Sequence, residues 1–230
     1  MITTLVLLSG GLATRLQPIS LSLPKSLIDI NGKPFIEYQL FLLKKQGITD
    51  VVICVSYLGG RIEEFVGDGK KFGIRIQYSY DGDKLLGTGG AIKKALPLLP
   101  ETFFVMYGDS YLPIDFKKVS DFFQNNKSQA LMTVMKNNNK WDKSNVIFKG
   151  GKIIKYDKIN IVPEMKYIDY GLGLMHKKCF NNVKENEISD LACIYNKLAE
   201  EGKLLGFEIK DRFYEVGSFD GIEEFKKYIN

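Results

Sequence analysis

The sequence predicts an α/β fold, with a mixed, mainly parallel β-sheet flanked by helices. Through the first half of the chain, short β-branched and apolar runs alternate with segments of helical periodicity, and a glycine-rich loop follows the first apolar run. That alternation is typical of βαβ units, in which the strands lie parallel and helices cover both faces of the sheet. The chain has 230 residues, of which 45% are apolar, enough for one large domain with a substantial core.

The first half of the chain carries the clearest signals. We expect strands where β-branched and apolar residues dominate, at residues 2–8, 50–57, 74–80 and 102–107. We expect helices at residues 35–46, 60–66 and 89–98. The first of these helices has apolar residues at helical spacing, and Gly47 follows it as a stop signal.

The second half is more mixed. Strands are expected at residues 129–136 and 170–176, at 146–148 and 152–156 on either side of the Gly150-Gly151 turn, and within 204–216. An amphipathic helix is expected at residues 188–201 through Ile188, Leu191, Tyr195 and Leu198, and a final helix from Ser218 onward. Because no linker, repeat or low-complexity segment interrupts the pattern, we predict a single domain spanning residues 1–230.

Composition excludes several classes of function. The formal net charge is +5, but basic residues are scattered among acidic ones, so nucleic acid is not an expected partner. No apolar run is long enough to cross a bilayer, so no membrane partner is expected either. The three cysteines are widely spaced without a C-x-x-C pair, and there is one histidine. We therefore predict reduced cysteines, a cytoplasmic protein and no zinc site.

Residues 8–27, with the sequence LSGGLATRLQPISLSLPKSL, form the most informative segment. Gly10 and Gly11 allow backbone N–H groups to approach oxyanions closely, and Arg15 and Lys25 supply positive charge. The spacing matches neither the Walker loop nor the dinucleotide-binding fingerprint. We predict a loop that wraps a nucleotide polyphosphate. The alternative is a plain glycine turn followed by two solvated basic residues.

Two further clusters follow strands, and ligands of open parallel sheets bind beyond the carboxyl ends of the strands. Residues 86–91, LGTGGA, form a glycine-rich turn whose helix N-terminus suits anions or polar edges, unless its glycines serve packing alone. Asp109 follows the strand at 102–107 and is a candidate Mg²⁺ ligand, or else a turn or cap residue. Glu215 is a candidate second ligand, or else a surface glutamate.

Taken together, these motifs resemble the sugar-1-phosphate nucleotidyltransferases, or NDP-sugar pyrophosphorylases. The family pattern G-G-x-G-T-R-L-x-P, P-K-P, L-G-T-[AG]-G-[AS], G-D and [DE]-[VI]-G-[TS] has ordered counterparts here in GGLATRLQP, LPKSL, LGTGGAI, YGDS and YEVGS. The resemblance is strongest to short members such as heptose-1-phosphate guanylyltransferases and N-acetylmuramate-1-phosphate uridylyltransferases. It implies the Rossmann-like nucleotide-diphospho-sugar transferase fold, with a nucleotide-binding half at residues 1–115 and a sugar-phosphate-binding half at 116–230.

The resemblance also implies a reaction and its residues. A sugar-phosphate oxygen attacks the α-phosphorus of an NTP in line, and pyrophosphate leaves. The implied catalytic residues are Arg15 on the β- and γ-phosphates, Lys25 on the α-phosphate and sugar phosphate, and Asp109, which with Glu215 holds the Mg²⁺ cofactor. The implied nucleotide-binding residues are Leu8, Ser9, Gly10, Gly11, Leu86 and Gly87.

The sugar-phosphate pocket is implied by two shorter matches. Tyr156-Asp157-Lys158 resembles the family's E-K segment, and Asp169-Tyr170-Gly171 resembles its N-x-G segment. The implied sugar-phosphate-binding residues are Asp157, Lys158, Asp169 and Gly171. An exposed ion pair beside a hairpin is the alternative for Asp157 and Lys158.

Three positions depart from the family pattern: Ala13 replaces the third loop glycine, Ser26 the proline after the lysine, and Glu215 the usual aspartate. The main hypothesis is an Mg²⁺-dependent enzyme that joins an NTP to a sugar 1-phosphate, for surface polysaccharide or glycoconjugate synthesis, with GTP and heptose 1-phosphate as one such pair. One alternative is a cytidylyltransferase for phosphocholine or another non-sugar phosphate. Another is a catalytically silent nucleotide-sugar-binding regulator. A homodimer is also expected from the resemblance.

Overall fold

The computed structural model describes residues 1–11, 16 and 23–230. Its strands are β1 (Thr4–Leu8), β2 (Asp29–Ile30), β3 (Lys33–Pro34), β4 (Asp50–Val55), β5 (Arg75–Tyr80), β6 (Thr102–Tyr107), β7 (Ser110–Tyr111), β8 (Ala130–Lys136), β9 (Val146–Lys149), β10 (Lys152–Tyr156), β11 (Tyr167–His176), β12 (Leu204–Ile209) and β13 (Tyr214–Glu215). The α-helices of the described residues are α1 (Phe35–Lys45), α2 (Gly59–Val66), α3 (Gly87–Ala95), α4 (Phe116–Asn126), α5 (Leu191–Glu200) and α6 (Phe219–Ile229).

Nine strands form one continuous sheet in the order β5-β4-β1-β6-β11-β8-β12-β10-β9. The first four are parallel, as the βαβ rhythm predicts. Beyond β6 the sheet is mixed, because β11 runs antiparallel to both β6 and β8 while β8 and β12 are parallel. The predicted α/β class with a mixed sheet and flanking helices is confirmed.

Successive side chains of β1 point to opposite faces of the sheet, and each face packs against its own layer of the core. Leu5 and Leu7 belong to one apolar cluster, whereas Val6 and Leu8 belong to the other. Helices α1, α2 and α4 cover the first face, and α3 and α5 cover the second. Buried apolar residues on both faces explain why the first strands are continuous apolar runs.

Two helices differ from the sequence-based expectation. Helix α4 was not predicted, although its apolar residues recur at helical spacing and Asp115 caps it by accepting the amide of Lys118 at 3.1 Å. Helix α5 begins at Leu191 rather than at residue 188, since Asp190 caps it. The side chain of Ile188 lies outside the helix and is 69% exposed. The N-cap residue Asp190, and not the apolar residue Ile188, therefore determines where α5 begins.

Strand register brings three loops to one edge of the sheet. Leu8 pairs with Cys54 on β4 and with Tyr107 on β6, so the segments after these strands meet there. The amide of Ser9 donates to the Cys54 carbonyl at 2.9 Å, and that of Gly108 to the Leu8 carbonyl at 2.9 Å. This is the edge at which open α/β sheets bind ligands.

A membrane-spanning segment would need a long, uniformly apolar helix. No helix within residues 1–11, 16 and 23–230 meets that requirement.

Candidate active site

A cleft of about 390 Å³ opens at the carboxyl edge of the parallel strands. It lies between the glycine loop after β1, the turn before α3 and the residues after β6. Its lining consists of Leu8, Ser9, Gly10, Gly11, Lys25, Ser26, Cys54, Asp81, Leu85, Gly87, Thr88, Ala91, Tyr107, Gly108 and Asp109. Most residues predicted for nucleotide binding and catalysis therefore share one cavity.

The glycine loop is held against the ends of its neighbouring strands. Ser56 Oγ donates to the Gly10 carbonyl at 2.6 Å. A side chain at Gly108 would bring its Cβ within 2.3 Å of Ser9 Oγ, so only glycine allows these two loops to touch. The predicted residue Arg15, like Ala13, lies outside the described residues.

Lys25 and Asp109 form an ion pair in the wall of the cleft. Lys25 begins a short 3₁₀ turn after Pro24, and its Nζ lies 2.7 Å from Asp109 Oδ2. The two side chains are 21% and 29% exposed, so the pair is partly shielded from water. This ion pair places a cation and a carboxylate at the same point of the wall, as the motif comparison implies.

Glu215 lies beside Asp109. It pairs with Ser110 in the β13–β7 ladder, and the amide of Val216 donates to the Asp109 carbonyl at 2.9 Å. A Cβ built on Gly217 would lie 2.4 Å from Glu215 Oε2 and 3.4 Å from Asp109 Oδ2. The two carboxylates therefore border one small volume.

The Glu215 carboxylate also organises its own turn. Its Oε2 accepts the Gly217 amide at 2.5 Å, and its Oε1 accepts the Ser218 hydroxyl at 2.8 Å. Ser218 in turn caps α6. A carboxylate offers about four lone-pair sites, so these bonds leave it able to contact a metal. The described residues contain no cluster of three or more potential metal ligands, and two carboxylates with phosphates and waters suit Mg²⁺.

The glycines of the LGTGG turn serve packing. A Cβ on Gly87, whose φ is +71°, would meet the Ser189 carbonyl oxygen at 2.6 Å. The amides of Gly89 and Gly90 donate to that same carbonyl at 2.8 and 3.1 Å. These two amides are therefore already hydrogen-bonded within the protein, and the binding of anions or polar edges at this helix start stays a prediction for the residues before them. Gly87 and Thr88 still line the cleft.

One residue predicted to bind the nucleotide does not line the cleft, and residues near it in the sequence do. The Leu86 side chain is 1% exposed and does not line the cleft, whereas that of Leu85 does. Sequence reasoning missed Asp81, which also lines the cleft and accepts the Leu86 amide at 3.1 Å. Burial raises the pKa of the Asp81 carboxyl. Its position directly after β5, at the carboxyl edge, was the available signal.

Asp157 and Lys158 have different surroundings. The Asp157 carboxylate accepts the amides of Ile159 and Asn160 at 2.9 and 2.8 Å, and these bonds lower its pKa. It therefore stabilises its own turn. Lys158 Nζ lies 5.3 Å from the ring centroid of Tyr107, a cleft residue. The lysine thus extends the site toward the second half of the chain.

Asp169 and Gly171 lie at an irregularity of β11, where the pairing with β8 shifts register. Asp169 accepts the Gly171 amide at 3.0 Å and the Tyr156 hydroxyl at 3.1 Å. Burial raises the pKa of this carboxyl, and the charge of Lys158 partly opposes that effect. Gly171 has a φ of +99°, and a Cβ there would lie 3.6 Å from Tyr107 Cδ2. Gly171 therefore packs close to Tyr107, but neither Asp169 nor Gly171 belongs to the lining of the cleft itself.

Comparison with known proteins gives the family. The model of the nucleotidyl transferase family matches residues 4–145. This chain belongs to that family. It is 34% identical over 179 residues, 77% of each chain, to the D-glycero-alpha-D-manno-heptose 1-phosphate guanylyltransferase of Campylobacter jejuni. It is 29% identical over 218 residues to the mannose-1-phosphate guanyltransferase beta-B of Xenopus laevis, covering 92% of this chain but only 60% of the frog protein.

The fold of the nucleotidyltransferase also matches solved structures. Yersinia pseudotuberculosis HddC in complex with GMP-PN superposes with a TM-score of 0.84 over the full length of both chains, at 24% identity. The sequence-based prediction of an enzyme of the nucleotidyltransferase class is confirmed.

Proposed function

We propose that this nucleotidyltransferase joins a nucleoside triphosphate to a sugar 1-phosphate, giving an NDP-sugar and pyrophosphate. The Lys25–Asp109 pair carries the proposal, because it places a cation and a carboxylate in the cleft behind the glycine loop. Phosphoryl chemistry of this kind depends mainly on positioning and on neutralising charge that develops at the reacting phosphate.

Each of these residues has its own role in the proposed reaction. Lys25 neutralises the α-phosphate and the incoming sugar phosphate, while Gly10 and Gly11 let the backbone approach the nucleotide. Asp109 and Glu215 would hold Mg²⁺, which would offset the negative charge of the reacting phosphates. Lys158 stands over Tyr107 and provides a second cation for the sugar phosphate. Arg15 is assigned to the β- and γ-phosphates by its motif.

The names of two relatives support guanine as the base of the nucleotide and an aldose 1-phosphate as the acceptor. The Campylobacter and Xenopus proteins are named as guanylyl enzymes for heptose 1-phosphate and mannose 1-phosphate. We propose GTP as the nucleotide and a heptose or hexose 1-phosphate as the acceptor. The product would be an activated sugar for surface polysaccharide or glycoconjugate synthesis in the cytoplasm. A homodimer is part of the proposal, and light scattering would test it.

Two alternative functions are tested by the same experiment as the proposed one. Ser26, at the position of the family proline, is the feature that favours a non-sugar acceptor such as phosphocholine with CTP. A silent regulatory homologue is disfavoured, because the Lys25–Asp109 pair is intact.

Pyrophosphate release across a grid of substrates tests the proposal. Each of ATP, GTP, CTP, UTP and dTTP is paired with hexose, N-acetylhexosamine and heptose 1-phosphates and with phosphocholine, with Mg²⁺ and with EDTA. We expect a Mg²⁺-dependent signal for GTP with an aldose 1-phosphate. A signal only with phosphocholine would contradict the sugar assignment. Silence for every pair, with nucleotide still raising the melting temperature, would support the regulatory alternative.

A further inference from the structure

Helix α1 buries a glutamine on the face that packs into the core. Gln39 is fully buried and lies at helical spacing within the apolar stripe of this helix, which consists of Phe35, Ile36, Leu40 and Leu43. Its Oε1 has no hydrogen-bond partner among the described residues. A buried amide oxygen without a donor destabilises the folded protein, whereas a leucine at this position would complete the stripe. A polar residue that breaks a local pattern at a cost in stability is expected where it serves function.

The amide group of Gln39 holds the turn that carries Asp109. Its Nε2 donates to the Ser110 carbonyl at 2.7 Å and makes a longer contact of 3.4 Å with the Tyr107 carbonyl. An amide nitrogen has two hydrogens, so it can serve both acceptors. Tyr107 ends β6 and Ser110 begins β7, so the two carbonyls lie on either side of Asp109 in the chain. Gln39 therefore restrains the backbone that carries the Asp109 carboxylate.

The same contact restrains Glu215. Ser110 pairs with Glu215 in the ladder between β7 and β13, and the amide of Val216 donates to the Asp109 carbonyl at 2.9 Å. A displacement of the Ser110 backbone would therefore change how the two carboxylates lie relative to each other. Gln39 does not belong to the lining of the cleft, so it can affect the site only through this backbone.

We propose that Gln39 is a positioning residue, which sets the arrangement of the Asp109 and Glu215 carboxylates and thereby the affinity of the site for Mg²⁺. Mg²⁺ binding requires near-ideal octahedral geometry at short distances, so a small displacement of one ligand weakens it. Contacts that hold metal ligands in place commonly contribute about 10-fold or more to metal affinity. This inference rests on the proposed function, because Mg²⁺ at these two carboxylates is part of that proposal.

Gln39→Met tests the inference, because methionine matches the length of glutamine but donates no hydrogen bond. We expect the Mg²⁺ concentration for half-maximal pyrophosphate release to rise about 10-fold. At saturating Mg²⁺, kcat should stay close to the wild-type value, since no cleft residue is changed. The nucleotide is GTP, or the triphosphate that gives turnover in the grid of substrates.

A second measurement does not depend on turnover. Calorimetric titration with the same nucleotide, without a sugar phosphate, gives its affinity in Mg²⁺ and in EDTA. In the wild type we expect Mg²⁺ to strengthen nucleotide binding. In Gln39→Met we expect most of that gain to be lost, whereas the affinity in EDTA should stay unchanged because the glycine loop and Lys25 are intact.

Gln46→Met is the matched control on the same helix. Gln46 Oε1 accepts the Phe116 amide at 3.2 Å, so this variant loses a hydrogen bond of α1 that does not involve the Asp109 turn. We expect a lower Tm with an unchanged Mg²⁺ dependence. Gln39→Asn keeps the amide but withdraws it by one methylene group, so it should also lose Mg²⁺ affinity. It serves as the second variant if Gln39→Met does not fold.

The outcomes separate this inference from the proposed function. A Gln39→Met enzyme with the wild-type Mg²⁺ dependence in both measurements, or with equal losses of nucleotide affinity in Mg²⁺ and in EDTA, overturns the inference and leaves the proposed reaction standing. A wild type whose nucleotide affinity does not respond to Mg²⁺ does the same. A wild type that neither turns over nor binds any nucleoside triphosphate overturns both.

Discussion

Lys25 Nζ and Asp109 Oδ2 lie 2.7 Å apart although 84 residues separate them in the chain. Asp109 lies just beyond β6, which is adjacent and parallel to β1, and Lys25 lines the same cleft at this edge of the sheet. In the free protein each charge partly satisfies the other. The proposed function would have Lys25 bind substrate phosphate and Asp109 hold Mg²⁺, and the ion pair keeps both side chains oriented in the cleft wall.

Replacing Lys25 by alanine should reduce kcat/KM by about 100-fold or more, because a charge contact made in the transition state is lost. The measurement is steady-state pyrophosphate release at saturating Mg²⁺. Lys33→Ala serves as control, since Lys33 pairs with Glu37 on the exposed surface and should show wild-type rates. Near-wild-type activity of Lys25→Ala would refute the catalytic assignment.

The second carboxylate can be tested by shortening it. Glu215→Asp should raise the Mg²⁺ concentration needed for half-maximal rate and should also lower Tm, because the side chain holds Gly217 and Ser218 as well. Asp109→Asn should abolish Mg²⁺-dependent turnover in a folded protein. A Glu215→Asp enzyme with lower Tm but an unchanged Mg²⁺ requirement would restrict Glu215 to its structural contacts.

Sequence patterns predicted the parts of this site that depend on strand order. Lys25 and Asp109 each lie in a recognisable motif, and the parallel pairing of β1 with β6 places the segments after these two strands at one edge. The patterns could not predict that Ser189, about a hundred residues after Gly87, supplies the carbonyl behind the LGTGG turn. Such a contact depends on how α5 packs, and no local signal encodes it.

The residues predicted to bind the sugar phosphate also have contacts that sequence patterns could not predict. Asp157 matches the family's E-K segment and Asp169 its N-x-G segment, yet the first carboxylate bonds to its own turn and the second accepts the Tyr156 hydroxyl. A sequence match fixes the residue type but not which way a loop directs its oxygen atoms. The boundary of α5 was wrong for a related reason, because Asp190 caps the helix after Ile188.

The tight packing behind the LGTGG turn makes a stability prediction. In Gly90→Ala the new Cβ would lie 2.4 Å from the Glu187 carbonyl oxygen, so backbone must shift and we expect a loss of about 1–3 kcal/mol. Gly60→Ala on α2 is the matched control, since a Cβ there meets nothing within 4 Å and should stabilise by up to about 1 kcal/mol. Urea unfolding measures both. A neutral Gly90→Ala variant would show that the segment before α5 yields easily.

The buried Asp169 carboxyl makes stability depend on pH. Burial raises its pKa in the folded protein above the ordinary carboxyl value, so the native state retains a proton that the unfolded chain releases. Its contribution to the free energy of unfolding is therefore largest below the ordinary carboxyl pKa and declines as pH rises through the raised value. Asp169→Asn removes this titration, so the variant should gain stability relative to wild type as pH rises above the ordinary carboxyl pKa. Asp157→Asn should change in the opposite direction, because hydrogen bonds lower the pKa of Asp157 and its stabilising contribution is lost as pH falls. Urea titrations at a series of pH values test both, and a pH-independent difference for Asp169→Asn would show that burial does not perturb this carboxyl.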